Sequence, residues 1–526
     1  MPIDVEQQGS PGWWMKRLFV QLNDRQRRQR LWRLHNYYAG NPPLPEGAEA
    51  AREAFEAFQR HSRSNFAELI VSAVSERMTP VGFRTARDAD VTGDAEAAAV
   101  WERAGLAVVS ADTHNKMLSL HESYVIVGEL DEETGAPLIT AEDPRTMVGE
   151  ADPANPARLR AALKVLHDDA EEQDRIYLYL PGEVVVASRT QRHPTMAAAI
   201  PDALPMLSSG LGIHFDPRGW DIDPDRSGRL PHERMPVVRF RNKDGVGEFE
   251  THLDLLNRIN HQILQRMVIA TMQAFRQRAV RGLPLVDEET GQEIDYSDVF
   301  TADPAALWQL PETAQMWESG TVDLTGILSA VKDDVTHLAA VTRTPMHLLM
   351  PAGVNQSAEG ASLSREGLVF KTRDRIDRTS HAWARVMSLA FLAMGQPDRA
   401  DLSQLRTLWA SPERLSLAER ADAASKAVND IPRRSRLIHI WGFSPADADL
   451  MMTEWADDQL LAAQIAAATA GLAADPNTPD AIRQAAPANP AGAAPALPTP
   501  DDVLSNPLAG LPGEGDDGAA GVPARV

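Results

Sequence analysis

From Met15 to Tyr38 apolar residues fall at helical intervals. Leu18, Leu22, Leu31, Leu34 and Tyr38 share roughly one face, and Gly40, Asn41 and Pro42 end the run. The remainder of that segment is rich in arginine, a pattern that predicts a solvated basic face at a subunit or domain surface rather than a nucleic-acid contact. Phe66, Leu69, Ile70, Ala73, Val74 and Met78 repeat the helical spacing, and the stretch from Asp94 to Val125 predicts further helix. Between Tyr124 and Phe249 the pattern shortens to β-type runs ("YVIVGEL", "APLITAE", "RIYLYLP", "GEVVVASR", "MPVVRF") parted by Gly, Pro, Asp and Asn, which predicts an antiparallel β-rich region.

Helical spacing then returns. His252 to Arg281 carries an apolar stripe of Leu253, Leu256, Ile259, Ile263, Met267, Ala270 and Met272, enough for a helix about 45 Å long. A second helix is expected over 323–343, with Leu324, Ile327, Leu328, Val331, Val335, Leu338 and Val341 on one face, Asp323 as its N-cap and Pro345 barring its continuation. A third is expected from near Ser362, with Leu368, Ile376, Trp383, Val386 and Phe391 toward a core. Between the last two lies "MPAGVNQSAEGA", small and nearly uncharged, with Glu359 its one carboxylate. Shorter helices follow. Beyond Asp475 the chain turns to Pro, Ala, Gly and Asp, a composition too poor in bulky apolar residues to fold.

The length of 526 residues allows about three or four domains. With no cysteine, disulfides, thiolate nucleophiles and cysteine-type zinc sites are excluded. The apolar run Leu460–Ala474 is broken by Gln464 and Thr469 and is shorter than the ~20 residues a membrane span needs. The N-terminal residues lack the order of a secretory signal. A formal charge of −22 argues against a protein that grips nucleic acid over its whole surface, though repulsion suits one that lets a polyanion slide past.

Searching for reaction chemistry finds little. "GVNQSAEGAS" lacks the Lys-Ser/Thr of a Walker A loop. "DIDPDRSG" spaces Asp221, Asp223 and Asp225 like the start of a calcium loop, but Arg226 stands where glycine is needed and His232 where the closing Glu belongs, so a turn is expected. His114 and His121 lack the spacing of a zinc protease and are expected to be ordinary histidines. The repeated "DEETG", at 131–135 and 287–291, predicts two hairpin connections with Gly135 and Gly291 free to turn left-handed. No cofactor, metal site or catalytic residue is expected.

Four stretches together resemble the portal proteins of tailed bacteriophages, in that family's order: "RQRRQRLWRLHNYYAGNPP", "SNFAELIVSAVSERMTPVGFR", "AVTRTPMHLLMPAGVNQSAEGASLSREGLVFKTRDRID" and "WASPERLSLAERADAASKAV". The resemblance implies an α+β portal fold: a wing over 1–250, a first stem helix over 251–281, a clip over 282–312 and a second stem helix over 313–343. It further implies a tunnel loop over 344–361, a long wing helix over 362–400, a helical crown over 401–475 and a disordered tail over 476–526. A closed ring of about twelve copies is implied, at one capsid vertex of a virion assembled in the host cytoplasm.

The resemblance makes that ring a non-enzymatic channel for packaging and ejecting double-stranded DNA and a nucleator of capsid assembly. Its partners would be the terminase large subunit, scaffold and major capsid proteins and a head–tail adaptor, with no membrane. It puts Met350, Gly353, Val354, Asn355, Gln356, Ser357, Glu359 and Gly360 in the tunnel loop. Arg365, Lys371, Arg375 and Arg378 become candidates for a basic face toward the next subunit. Two other readings remain open, a helical adaptor that forms no ring and a packaging-associated nuclease or NTPase.

Overall fold

The computed structural model describes residues 3–45, 52–87, 93–189, 215–274, 278–284, 286, 291–294, 296, 314–318, 320, 323–350, 358–413, 417–443 and 445–474. In chain order the helices and strands begin with α1 (Pro11–Leu22), α2 (Arg25–Tyr38), α3 (Arg52–His61), α4 (Phe66–Ser75), β1 (Pro80–Arg84), α5 (Ala95–Arg103) and α6 (Leu106–Leu120). The β-rich part is β2 (Glu122–Leu130), β3 (Pro137–Glu142), β4 (Met147–Asp152), β5 (Asn155–Asp168), β6 (Gln173–Leu180), β7 (Glu183–Arg189), β8 (Asp221–Arg229) and β9 (Val237–Arg241). Next come α7 (Leu253–Ala274), β10 (Arg278–Arg281), β11 (Gln315–Glu318), α8 (Thr325–Thr342), α9 (Met346–Leu349), α10 (Ala358–Ala393) and β12 (Arg406–Trp409). Last are α11 (Leu417–Lys426), α12 (Arg433–Arg436) with a wide π turn over Leu437–Trp441, and α13 (Pro445–Ala474). The chain divides into two compact units, Met1–Leu450 and Met451–Val526.

Two antiparallel sheets form the β-rich part, β3-β2-β9 and β4-β5-β6-β7-β8. Period-two alternation divides the larger sheet's faces. Leu163, Val165, Ile176 and Leu178 pack under Met15, Leu18 and Phe19 of α1. Ala162 and Tyr179 point the other way, joining Tyr124, Ile126 and Val237 of the three-stranded sheet. The interior strand β5 is rich in Leu and Ala, so its composition did not announce a strand; pairing on both edges, with β4 and β6, overrides that preference. "DIDPDRSG" is a strand rather than a turn, although the turn chemistry is present inside it. Asp223 Oδ1 accepts from the backbone N–H groups of Asp225 and Arg226, at 3.1 and 3.3 Å, where β8 bulges against β7.

The predicted first helix is two. Asn23 ends α1, and the Asp24 side chain caps α2 by accepting from the Arg27 N–H at 2.8 Å. The arginines of α2 are not a free basic face. Arg27 bonds Glu122, Arg30 grips Glu250 at 2.6 and 2.8 Å, and Arg145 stacks over Trp32.

The largest core gathers α4, α6, the three-stranded sheet and α10 around Trp383. The Trp383 indole Nε1–H donates to His114 Nε2 at 2.9 Å, and the Phe240, Trp101 and His114 rings lie 5.0 to 5.8 Å from it. Burial pushes the His114 imidazole down to about 3, so this histidine is a neutral core acceptor. Strand β12 pairs with β1, which places the start of the expected crown in this same core.

Candidate functional site

The uncharged segment after α8 departs from a defined frame. Helix α8 ends because Arg343 turns left-handed at φ +54° and Pro345 supplies no N–H. One further turn, α9, closes when the Met350 N–H donates to Met346 O at 2.8 Å. Of the expected tunnel loop, Met350 is the half-buried residue that ends this turn. Gly353, Val354, Asn355, Gln356 and Ser357 lie outside the described residues. Glu359 and Gly360 are in the first turn of α10, which starts at Ala358 rather than near Ser362. The long helix takes up these residues because Ala358 and Glu359 are good helix formers.

Where α10 passes the C-terminal end of α8 sits a buried ionic cluster. Glu248, just ahead of α7, receives Lys371 Nζ at 2.7 Å and Arg375 Nε at 2.6 Å, both from α10, and Asn242 Nδ2 at 3.1 Å. Lys371 Nζ also donates to the Thr342 carbonyl at 3.0 Å, satisfying one of the acceptors left open at the C-terminal end of α8. Two side chains of α10 and Asn242 thus meet on one carboxylate, and Lys371 carries the link on to α8. Burial alone would raise the Glu248 carboxyl, but the Lys371 charge and the Arg375 hydrogen bond outweigh it and hold it below the usual range. Burial pulls Lys371 down from its ordinary value, against the opposing pull of Glu248.

This overturns half of the expected basic face. Lys371 and Arg375 are buried and already paired within their own chain, because i and i+4 on α10 place both over Glu248. Arg378 lies at the surface and bonds Asp374 at 3.0 and 3.2 Å, and Arg365 is half-buried. Glu248 was missed in the sequence. Its signal is an acid set between Val246 and Phe249 directly ahead of an apolar helix.

Helices α7 and α8 pair with each other, and their burial fades away from the cluster. Leu253, Leu256 and Ile259 of α7 and Val335 and Leu338 of α8 are buried. Met267 is half-buried, while Leu328 is exposed, and so, on the outer side of α8, is Val341. The Arg258 guanidinium clamps Asp334 across the pair with two bonds, at 2.9 and 2.6 Å. The first helix is shorter than expected. It stops at Ala274, and residues 278–281 instead pair antiparallel with 315–318, a two-stranded ribbon that exposes Met316 and Trp317. Of the second "DEETG", residues 287–290 lie outside the described residues; on either side Val286 bridges Glu293, and Gly291 is left-handed at φ +65°. The first is a tight hairpin, with Gly135 at φ +63° and Asp131 accepting from Thr134. Among the described residues no group of three or more His, Asp or Glu could hold a metal ion, and no helix is long and apolar enough to cross a membrane.

Residues 19–460 match the family model described as "Phage portal protein, SPP1 Gp6-like". The chain is 25% identical over 415 residues to the portal protein of Mycobacterium phage D29, covering 75% of this chain and 79% of that one. It is 25% identical over 449 residues to the portal protein of Mycobacterium phage L5, covering 81% and 85%. A solved chain from the virion of a native gene transfer agent particle aligns with 78% of this chain and 98% of its own length, at 10% identity and a TM-score of 0.37.

Proposed function

The chain belongs to the phage portal protein family, a family of structural virion proteins rather than enzymes, and from that premise we propose that about twelve copies close into a ring at one capsid vertex. The ring is the channel through which double-stranded DNA is packaged and ejected. Helices α7 and α8 are its stem. The β10–β11 ribbon with residues 282–312 is the clip, which meets the terminase large subunit and later the head–tail adaptor. The body contacts scaffold and major capsid proteins and nucleates assembly, and residues 401–475 face inward as the crown.

One observation carries this reading: Lys371 of α10 joins the Thr342 carbonyl at the end of α8 to the buried Glu248, so the two helices that flank the uncharged segment 351–357 are tied to each other. A segment that touches moving DNA needs a rigid anchor and a surface that does not hold phosphates. Duplex DNA carries a negative charge every ~1.7 Å of axis, and a ring of arginines there would release counterions and bind it. Val354, Asn355, Gln356 and Ser357 offer contact without ion pairing, and Gly353 lets the backbone change shape as the polymer passes.

Deleting Val354–Ser357 tests the assignment. Rings of normal mass and appearance in electron microscopy, together with loss of DNA-filled heads, are expected; a normal yield of filled heads would remove the tunnel-loop role while leaving the ring intact.

A further inference from the structure

A second concentration of charge lies farther along α10, toward its C-terminal end. A half-open cavity of about 360 Å³ is bounded by the start of β5, the segment before β9 and α10. Its floor is apolar, with Leu159, Val238 and Leu389, and its wall carries three arginines: Arg158, Arg234 and Arg385. Neutral groups, not acids, hold two of the guanidinium groups by hydrogen bonds. Arg385 donates to the Ala157 carbonyl, and Arg234 donates to Ser388 Oγ at 2.8 Å, which in turn donates to the Ala400 carbonyl at 2.5 Å. Arg158 is exposed. Glu233 is the one carboxylate among the lining residues, and among the described residues none of the three arginines is in a salt bridge. Asp401 senses Arg234 without bridging it. Asp152 likewise acts on Arg158 without bridging it, and burial and the neighbouring Arg158 charge both pull Arg385 down from its ordinary value.

In a chain with 74 acidic and 52 basic residues, three unpaired arginines around an apolar floor are an unfilled complement. We propose that the cavity receives a carboxylate side chain, with its apolar neighbour, from a second copy of this chain. It would then be the cationic socket of the contact between adjacent subunits. The inference rests on the ring reading. Copies that each carry −22 repel one another, and a head-to-tail contact repeated around a ring presents the same acidic surface to every socket. Guanidinium pairs carboxylate in a fork geometry, and the apolar floor removes that pair from water.

The absence of cysteine makes the test direct. Arg158→Cys creates a single attachment point for a thiol-linked photo-crosslinker on the full chain. The expected product is a covalent dimer whose adduct maps to an Asp- or Glu-containing segment of the second copy. In parallel, Arg158→Glu/Arg385→Glu is expected to weaken ring formation at least tenfold by light scattering at low salt, with an unchanged circular-dichroism melt. Should the double variant fail to fold, the exposed Arg158→Glu alone carries the measurement. Adducts confined to the same copy, or double-variant rings as stable as wild type, would overturn the socket and leave the ring standing. A wild-type chain that stays monomeric under every condition would sink both.

Discussion

Helices α10 and α13 are close in length, 36 and 30 residues, and opposite in how their side chains are satisfied. Along α10, Leu368, Ile376, Trp383, Val386, Met387 and Phe391 are buried, and the charged positions that face inward find Glu248. Along α13, residues 453–467 are exposed on every side, including Trp455, Leu460, Leu461 and Ile465. The first helix is stabilised by its own chain. The second has apolar side chains at positions that no single stripe unites, and one copy leaves Leu450, Leu460 and Leu461 more than half exposed. A helix of that kind draws its stability from neighbours, and in the proposed ring it would have one on either side. Length and helical propensity therefore say little about which helix holds a copy together; burial does.

The largest effect should separate the two helices most cleanly. Trp383→Ala removes a fully buried indole and its bond to His114, and should cost about 3–5 kcal/mol in chemical denaturation. A loss under about 1 kcal/mol would mean that α10 is less central than its packing shows. Glu248→Ala should cost about 3 kcal/mol or more by the same measurement, since it leaves Lys371 and Arg375 buried without a counter-charge. Arg378→Ala, removing an exposed partner of Asp374, should change stability by less than about 1 kcal/mol.

Acid should act on the α10 side alone. The His114 imidazole protonates near 6.5 when unfolded and about 3 when folded, so between those values the unfolded chain holds the extra proton. Stability should fall as pH drops through that window, by up to about 1.4 kcal/mol per unit, and His121, pushed down to about 4 chiefly by burial, adds to the upper part of it. Glu248 contributes in the same direction at lower pH. Its depressed carboxyl gives stability that is present above the ordinary carboxylate value and lost as pH falls through the folded one. His114→Gln should flatten the upper slope. Residues 445–474 contain no histidine, so hydrogen exchange of their amides in the unassembled chain should not follow that slope.

The smallest effect on a single copy belongs to α13. Leu460→Ala/Leu461→Ala should shift denaturation of the monomer by no more than about 0.5 kcal/mol while lowering the proportion of rings in native mass spectra. Equal loss in monomer and ring would show that α13 is already packed within one copy.

Much of the fold was legible from periodicity. The strands named by alternation, β2, β3, β6, β7 and β9, are all present, as are helices α7, α8 and α10, and the "DEETG" turns show left-handed glycines. The ends of elements were less legible. Helix α7 gives way to β10 because a partner strand more than thirty residues away pairs with it, which no local pattern records. Strand β5 was hidden by residues that favour helix equally well.

By itself, the amino-acid sequence determined the secondary-structure periods, the absence of thiol chemistry, the acidic balance and the uncharged character of residues 351–357, because each of these is a property of local order or of composition. Only the tertiary structure decided what the charges do. Lys371, Arg375 and the arginines of α2 read as surface residues until Glu248, Glu122 and Glu250 arrive beside them across long stretches of chain. A charge is inert or structural according to its solvent and its nearest opposite, and both are set by contacts far apart in the chain.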